Sequence, residues 1–249
     1  MGRMLLLLLF VAFIAGTQNA LAGGGSFITF PALLLTGMDA LSANITSTIA
    51  LFPGQVTTGL AGRRHVAGTP SLSFRALFVI SLIGGVLGAA LLLATPVSVF
   101  ERLVPFLVLF ATLVFAWGSF LRRPGNGKPR LGGVRAGAMQ FLIAVYGGYF
   151  GGGIGILMLA ALTLAGLPVR AAGATKNVLA GVMNASAVAV FLASPYVHWR
   201  EAAAVAVGAI AGGQFGAWLL SRVNDRILRI VVTLIGITLT VGLFLRAYG

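Results

Sequence analysis

The chain has 249 residues, 59% of them hydrophobic and 8% charged, with a mean hydropathy of +1.03. That balance excludes a soluble domain and describes an all-α polytopic membrane protein. The lack of cysteine excludes disulfides, thiolate metal sites and thiol redox chemistry, and the net charge of +13 falls mostly in short links between apolar runs, the pattern of the positive-inside rule and not of a nucleic-acid partner.

The first apolar run, 4–21, imitates a signal peptide: Met1-Gly2-Arg3 precedes it and Ala20-Leu21-Ala22 closes it like a cleavage site. Apolar sequence continues directly behind it and the equivalent segment, 134–150, lies mid-chain, so the segment is expected to be retained. Runs at 26–37, 40–61 (with Pro53 as a kink), 74–94 and 98–121 follow. The prolines, glycines and charges from Arg122 to Arg130 then mark a basic linker, 122–133. Five more runs come after it, at 134–150, 154–166, 171–193, 201–220 and 227–247.

The two groups of five match. Ala22-Gly23-Gly24-Gly25-Ser26-Phe27-Ile28 returns as Phe150-Gly151-Gly152-Gly153-Ile154-Gly155-Ile156, and Gly84-Gly85-x-x-Gly88-Ala89-x-Leu91-Leu92 returns as Gly212-Gly213-x-x-Gly216-Ala217-x-Leu219-Leu220. Glu101-Arg102-Leu103 returns as Asp225-Arg226-Ile227, so three motifs recur in one order at offsets of 128, 128 and 124 residues. Each alone would signal little beyond close helix packing, but together they mark an internal duplication. The chain reads as two membrane repeats, 1–121 and 134–249. Each is a glycine-broken hairpin, 4–37 or 134–166, followed by three transmembrane helices.

The basic residues predict the topology. If each hairpin counts as one crossing, the seventeen lysines and arginines divide eleven to six between the faces. If each hairpin enters and leaves on one face, thirteen lie inside and only Arg3, Arg102, Arg200 and Arg246 lie outside. The stronger bias favours the second arrangement, which turns the second repeat upside down relative to the first. A helix over 26–37 would be about 18 Å long, short of a hydrocarbon core of about 30 Å, so the hairpins are expected to be re-entrant.

Helix breaks inside a membrane line protein-enclosed cavities. Half-helices starting after Gly25 and Gly153 would present the N–H groups of Gly24, Gly25, Gly152 and Gly153, with the positive ends of two helix dipoles, to an anion. Asn44, Thr46, Ser47 and Thr48 follow the first break, and Thr175, Lys176 and Asn177 follow the second, with Thr46 aligned to Thr175. Amides and hydroxyls there could complete an oxyanion's hydrogen bonds, and the lysine adds a full charge. The candidate substrate-binding set is therefore Gly24, Gly25, Asn44, Thr46, Gly152, Gly153, Thr175, Lys176 and Asn177, with Gln55, Gln140, Tyr149 and Asn184 as weaker candidates. The competing readings are helix-internal bonds for the hydroxyls and a lysine snorkelling to the inner surface.

All four acids, Asp39, Glu101, Glu201 and Asp225, fall at helix ends or links, leaving no carboxylate at mid-membrane for proton or sodium coupling. His65 and His198 lie in different links and suggest solvated loop residues, neither glycine cluster continues into a nucleotide-binding Lys-Ser or Lys-Thr, and no catalytic or metal-ligating constellation is visible. A transporter with no cofactor is expected. A fixed-pore anion channel is the alternative, and an intramembrane enzyme is less favoured still.

The glycine triplet followed by Pro31 and Asn44-Ile45-Thr46-Ser47-Thr48, and Tyr146-Gly147-Gly148-Tyr149-Phe150-Gly151-Gly152-Gly153-Ile154-Gly155-Ile156-Leu157-Met158 with Thr175-Lys176-Asn177, resemble the TauE/SafE, or toluene-sulfonate-uptake permease, family across essentially the whole chain. The resemblance implies a multi-pass protein of the cell membrane, the inner membrane in a bacterium. It also implies transport of a small inorganic or organic sulfur anion: sulfite, thiosulfate or an organosulfonate. Direction, coupling ion and oligomeric state stay open. Pro31 departs from symmetry, since Leu159 aligns with it in the second half.

Overall fold

The computed structural model describes residues 2–21, 24–121, 131–219 and 225–248. Ala22, Gly23 and the linker residues 122–130, to which parts of the above reading apply, lie outside the described residues. Ten α-helices run through the rest: α1 (Gly2–Leu21), α2 (Ser26–Leu34), α3 (Ala40–Gly62), α4 (Phe74–Ala94), α5 (Val97–Ala116), α6 (Gly133–Tyr149), α7 (Ile154–Leu164), α8 (Val169–Phe191), α9 (Trp199–Leu219) and α10 (Asp225–Tyr248). A π-helical turn, Trp117–Leu121, extends α5.

Local chemistry sets several of these ends. The Asp39 carboxylate accepts the Ser42 N–H at 2.9 Å and the Ser42 hydroxyl at 2.6 Å, capping α3. The Ser73 hydroxyl accepts the Ala76 N–H at 3.2 Å at the start of α4, while Pro96 and Pro168 stand immediately before α5 and α8. The breaks inside the hairpins require glycine: Gly24 has φ 84° and Gly153 has φ 73°, a left-handed conformation that a Cβ disfavours. With 9 and 11 residues, α2 and α7 are about 14 and 17 Å long, half a hydrocarbon core.

Packing partners exchange between the halves. Helix α1 lies along α9 as α6 lies along α4, α3 packs on α9 as α8 packs on α4, and α3 meets α8 as α5 meets α10. The duplicated Gly-Gly-x-x-Gly motif makes some of the closest of these contacts. A Cβ on Gly212 would overlap the Phe13 carbonyl oxygen of α1, and one on Gly88 would overlap the Val145 carbonyl oxygen of α6. Each motif therefore brings the fourth helix of one half into backbone contact with the first helix of the other.

Helices α4, α5 (with its π turn) and α10 are long and apolar enough to cross a membrane. They expose Leu82, Ile83, Leu91, Phe106, Leu113, Leu234 and Leu245, a surface suited to acyl chains. Helix α8 is as long, at 23 residues, but Lys176, Asn177 and Asn184 lower its apolarity. That polarity belongs to the interior. Seven consecutive residues of α3, from Leu41 to Ser47, are buried, and three edge-to-face aromatic pairs, Phe27–Phe115, Phe30–Phe150 and Phe100–Tyr149, pack the two hairpins and α5 together.

Candidate functional site

A cavity of about 360 Å³ lies between the two hairpin breaks and the central helices α3 and α8. Its volume is in the range of small-molecule sites, roughly 300–1,000 Å³. The two central helices contribute the same register. Ser47, Thr48, Leu51 and Gln55 line it from α3, and Lys176, Asn177, Ala180 and Asn184, each 129 residues on, line it from α8. At about 100° per residue, these four positions fall within one arc of about 100° on each helix. They begin about 10 Å and end about 22 Å along helices about 34 Å long, which is the middle third.

The first break reaches the cavity through Gly24 and Ser26, the second through Gly151, Gly153 and Gly155. Hydrogen bonds hold both in place. The Gly25 N–H donates to Asn19 Oδ1 at 3.3 Å, and the Thr29 and Ser47 hydroxyls are bonded at 2.6 Å, tying α2 to α3. Asn44 Nδ2 donates to the Tyr149 carbonyl at 3.1 Å, tying α3 to the second hairpin. At the start of α7 the N–H groups of Ile156 and Leu157 bond to the Gly153 carbonyl, which leaves those of Ile154 and Gly155 without an intrahelical acceptor. Both residues line the cavity. A Cβ placed on Gly155 would sit 3.5 Å from Lys176 Nζ, so the ammonium stands beside the helix N-terminus.

Of the nine candidates from the sequence, Gly24, Asn44, Gly153, Lys176 and Asn177 line the cavity, while Gly25, Thr46, Gly152 and Thr175 do not. Thr46 and Thr175 sit one residue before the lining arc and are turned away from it by about 100°. Both are fully buried in equivalent structural roles. Thr46 Oγ1 accepts the His198 N–H at 3.2 Å. Thr175 Oγ1 accepts the Ala67 N–H at 3.0 Å and donates to the Ala67 carbonyl at 3.1 Å. Each threonine thus fastens a central helix to the loop that precedes the fourth helix of the other half. Gly152 is buried against Phe150 and Ala111.

Among the weaker candidates, Gln55 and Asn184 line the cavity and bond to each other, Asn184 Nδ2 donating to Gln55 Oε1 across the halves. Gln140 and Tyr149 are used in packing, Gln140 donating to Ser81 Oγ at 2.8 Å and Tyr149 meeting Phe100 edge to face. Asn19, Ser26 and Ser119 also line the cavity and were missed in the sequence. The signal that finds the lining of α3 and α8 is the shared register at 129 residues, extended from Thr46/Thr175 by helical period.

The electrostatics are one-sided. Of the acids whose side chains are described, Asp39, Glu101 and Glu201, none lines the cavity. Among the described side chains, Lys176 is the one cation that is not exposed, and both histidines lie on the surface. No group of three or more acidic or histidine side chains among the described residues could hold a metal ion.

The sulfite exporter TauE/SafE family matches residues 8–243. A "Probable membrane transporter protein" of Haemophilus influenzae is 30% identical over 243 residues, spanning 96% of this chain and 94% of its own. A "Probable membrane transporter protein" from a Sinorhizobium species is 33% identical over 253 residues, spanning 96% and 92%. The similarly titled YfcA of Escherichia coli is 26% identical over 245 residues, spanning 97% and 90%. The protein is a multi-pass transporter of the cell membrane, not an enzyme. By a match that reaches from its first helix into its last, the chain belongs to the TauE/SafE sulfite exporter family.

Proposed function

We propose that the protein carries a small sulfur-containing anion, such as sulfite, thiosulfate or an organosulfonate, held between the two hairpin breaks and exposed to each membrane face in turn. The observation that carries this reading is the Lys176 ammonium beside the start of α7. A cation at a helix N-terminus is opposed by the helix dipole. An anion bound between them removes the conflict, accepting charge-assisted bonds from the ammonium and from the free N–H groups. The absence of carboxylates from the lining among the described residues favours the same sign of ligand. The family's description as sulfite exporters supports sulfur chemistry.

In this reading Lys176, Asn177 and the N–H groups at Ile154 and Gly155 bind the anion on one side, and the break at Gly24 with Asn44 faces it on the other. The exchange of packing partners supports two repeats, 1–121 and 134–249, of inverted orientation, and the short α2 and α7 support re-entrant hairpins.

Uptake of radiolabelled sulfite, thiosulfate, sulfate and methanesulfonate into proteoliposomes tests the substrate class. Saturable uptake of at least one sulfur anion is expected. Rates equal to those of protein-free vesicles for all four would overturn it, and flux that never saturates would indicate a fixed pore. For the topology, single cysteines at Gly2 and Asp39 are expected to label from the same face; labelling from opposite faces would overturn the re-entrant first hairpin.

A further inference from the structure

The charge inventory of the cavity constrains how the empty protein can move. Among the described residues, Lys176 is its one charged lining residue. Its neighbours on the lining arcs, Ser47, Thr48, Asn177, Gln55 and Asn184, are neutral and cannot cancel it. The starts of α2 and α7, at Ser26 and Ile154, also reach the cavity and add the positive ends of two helix dipoles. With the Lys176 ammonium protonated, an empty cavity therefore carries positive charge that no described lining side chain offsets, at the middle third of the central helices, where an unpaired ion is costly. A bound anion neutralises it.

Resting on the anion reading above, we propose that this protein is an obligatory anion exchanger: it reorients rapidly with an anion paired to Lys176 and only slowly without one. Lys176 thus has a second role besides binding. It is the charge that holds back empty return, so that an anion leaving on one face is replaced by an anion entering on the other. The exchange needs no carboxylate in the lining and no proton or sodium, in keeping with the positions of the four acids. A neutral polar cavity would bind anions more weakly but would reorient empty without this penalty.

The test uses the full chain in proteoliposomes loaded in parallel with radiolabelled sulfite, thiosulfate, sulfate or methanesulfonate. Potassium and valinomycin clamp the membrane potential, so that charge build-up cannot imitate a need for counter-anion. For any anion the protein moves, efflux is expected to be at least tenfold faster with the same unlabelled anion outside than with none. Lys176→Gln, assayed at raised anion concentration, should lose this stimulation, falling below twofold. Lys176→Arg, which keeps the charge, should retain it and shows that the position tolerates change. Efflux equally fast with and without external anion would overturn the exchange proposal while leaving the anion site standing. So would stimulation that survives in Lys176→Gln. Efflux no faster than from protein-free vesicles for all four anions, with and without external anion, would overturn the anion reading itself.

Discussion

Gly155→Ala separates anion binding from folding. Gly155 lines the cavity, and a Cβ there would meet Lys176 Nζ at 3.5 Å and Lys176 Cδ at 3.9 Å, ordinary contacts that require nothing to move. The residue lies in the first turn of α7 and its φ is not positive, so alanine suits the backbone. Stability should be unchanged or higher, by up to about 1 kcal/mol from the better helix former. The anion should fare differently. An oxyanion oxygen bonded to the ammonium would lie about 2.8 Å from Nζ, and a methyl carbon 3.5 Å from the same nitrogen takes that space while covering the Gly155 N–H. Losing one charge-assisted bond costs about 1.5–3 kcal/mol, or about 10- to 140-fold in Kd. Titration calorimetry of the detergent-solubilised protein with the best anion from the uptake screen measures Kd, and thermal unfolding measures stability. A stable Gly155→Ala protein with unchanged Kd would refute the placement of the anion at the α7 N-terminus, and a destabilised one would refute the packing argument.

Lys176→Met should weaken anion binding at least tenfold, about 1.4 kcal/mol, in a protein that still elutes as a folded species; unchanged affinity would assign the lysine to anchoring. Thr46→Val and Thr175→Val should each lower stability by about 1 kcal/mol per lost hydrogen bond while leaving Kd within about twofold, as thermal unfolding and titration in parallel would show; a tenfold loss of affinity would return the threonines to the anion site. Gly212→Ala should sharply reduce the yield of folded protein, because its Cβ overlaps a carbonyl of α1, whereas Gly181→Ala, with open space around it, should not. Neutralising Asp39, Glu101 or Glu201 singly should leave substantial transport in proteoliposomes; complete loss in a folded variant would place that carboxylate on the transport path.

The helices were legible because membrane burial demands long apolar runs, and the hairpin breaks because glycine triplets interrupt them. α2 ends at Leu34, short of the apolar limit at residue 37, because hydropathy marks what can be buried and hydrogen bonding marks where a helix stops. The site was legible only in part. Thr46 and Thr175 stood out as aligned hydroxyls, yet side-chain direction depends on helical phase, and one residue turns the chain by about 100°. Ser47 and Lys176, their neighbours, face the cavity instead. Asn19 sits on α1, whose position beside the first break comes from packing against α9, a relation no local pattern carries.

The two halves agree where residues make structural contacts and differ at the polar lining positions nearest the second break. Gly88 and Gly212 each allow close approach to the first helix of the opposite half, and Thr46 and Thr175 each hold a loop of the opposite half. Gln55 and Asn184 meet at equivalent positions and satisfy each other. The shared packing geometry imposes these demands twice, and a residue that failed in one copy would leave a clash or an unpaired group. The other polar lining positions of the central helices carry no such double demand. Asn44 stands opposite Gly173, Ser47 opposite Lys176 and Thr48 opposite Asn177. Ser47 is spent on Thr29, while Lys176 stands at the second break. On the anion reading Lys176 supplies the cavity's cation, and a second lysine in place of Ser47 would bring two ammonium groups to a single cavity at the cost of their repulsion. The matched packing contacts therefore hold the cavity from both sides, and the difference between Ser47 and Lys176 distinguishes those sides from one another.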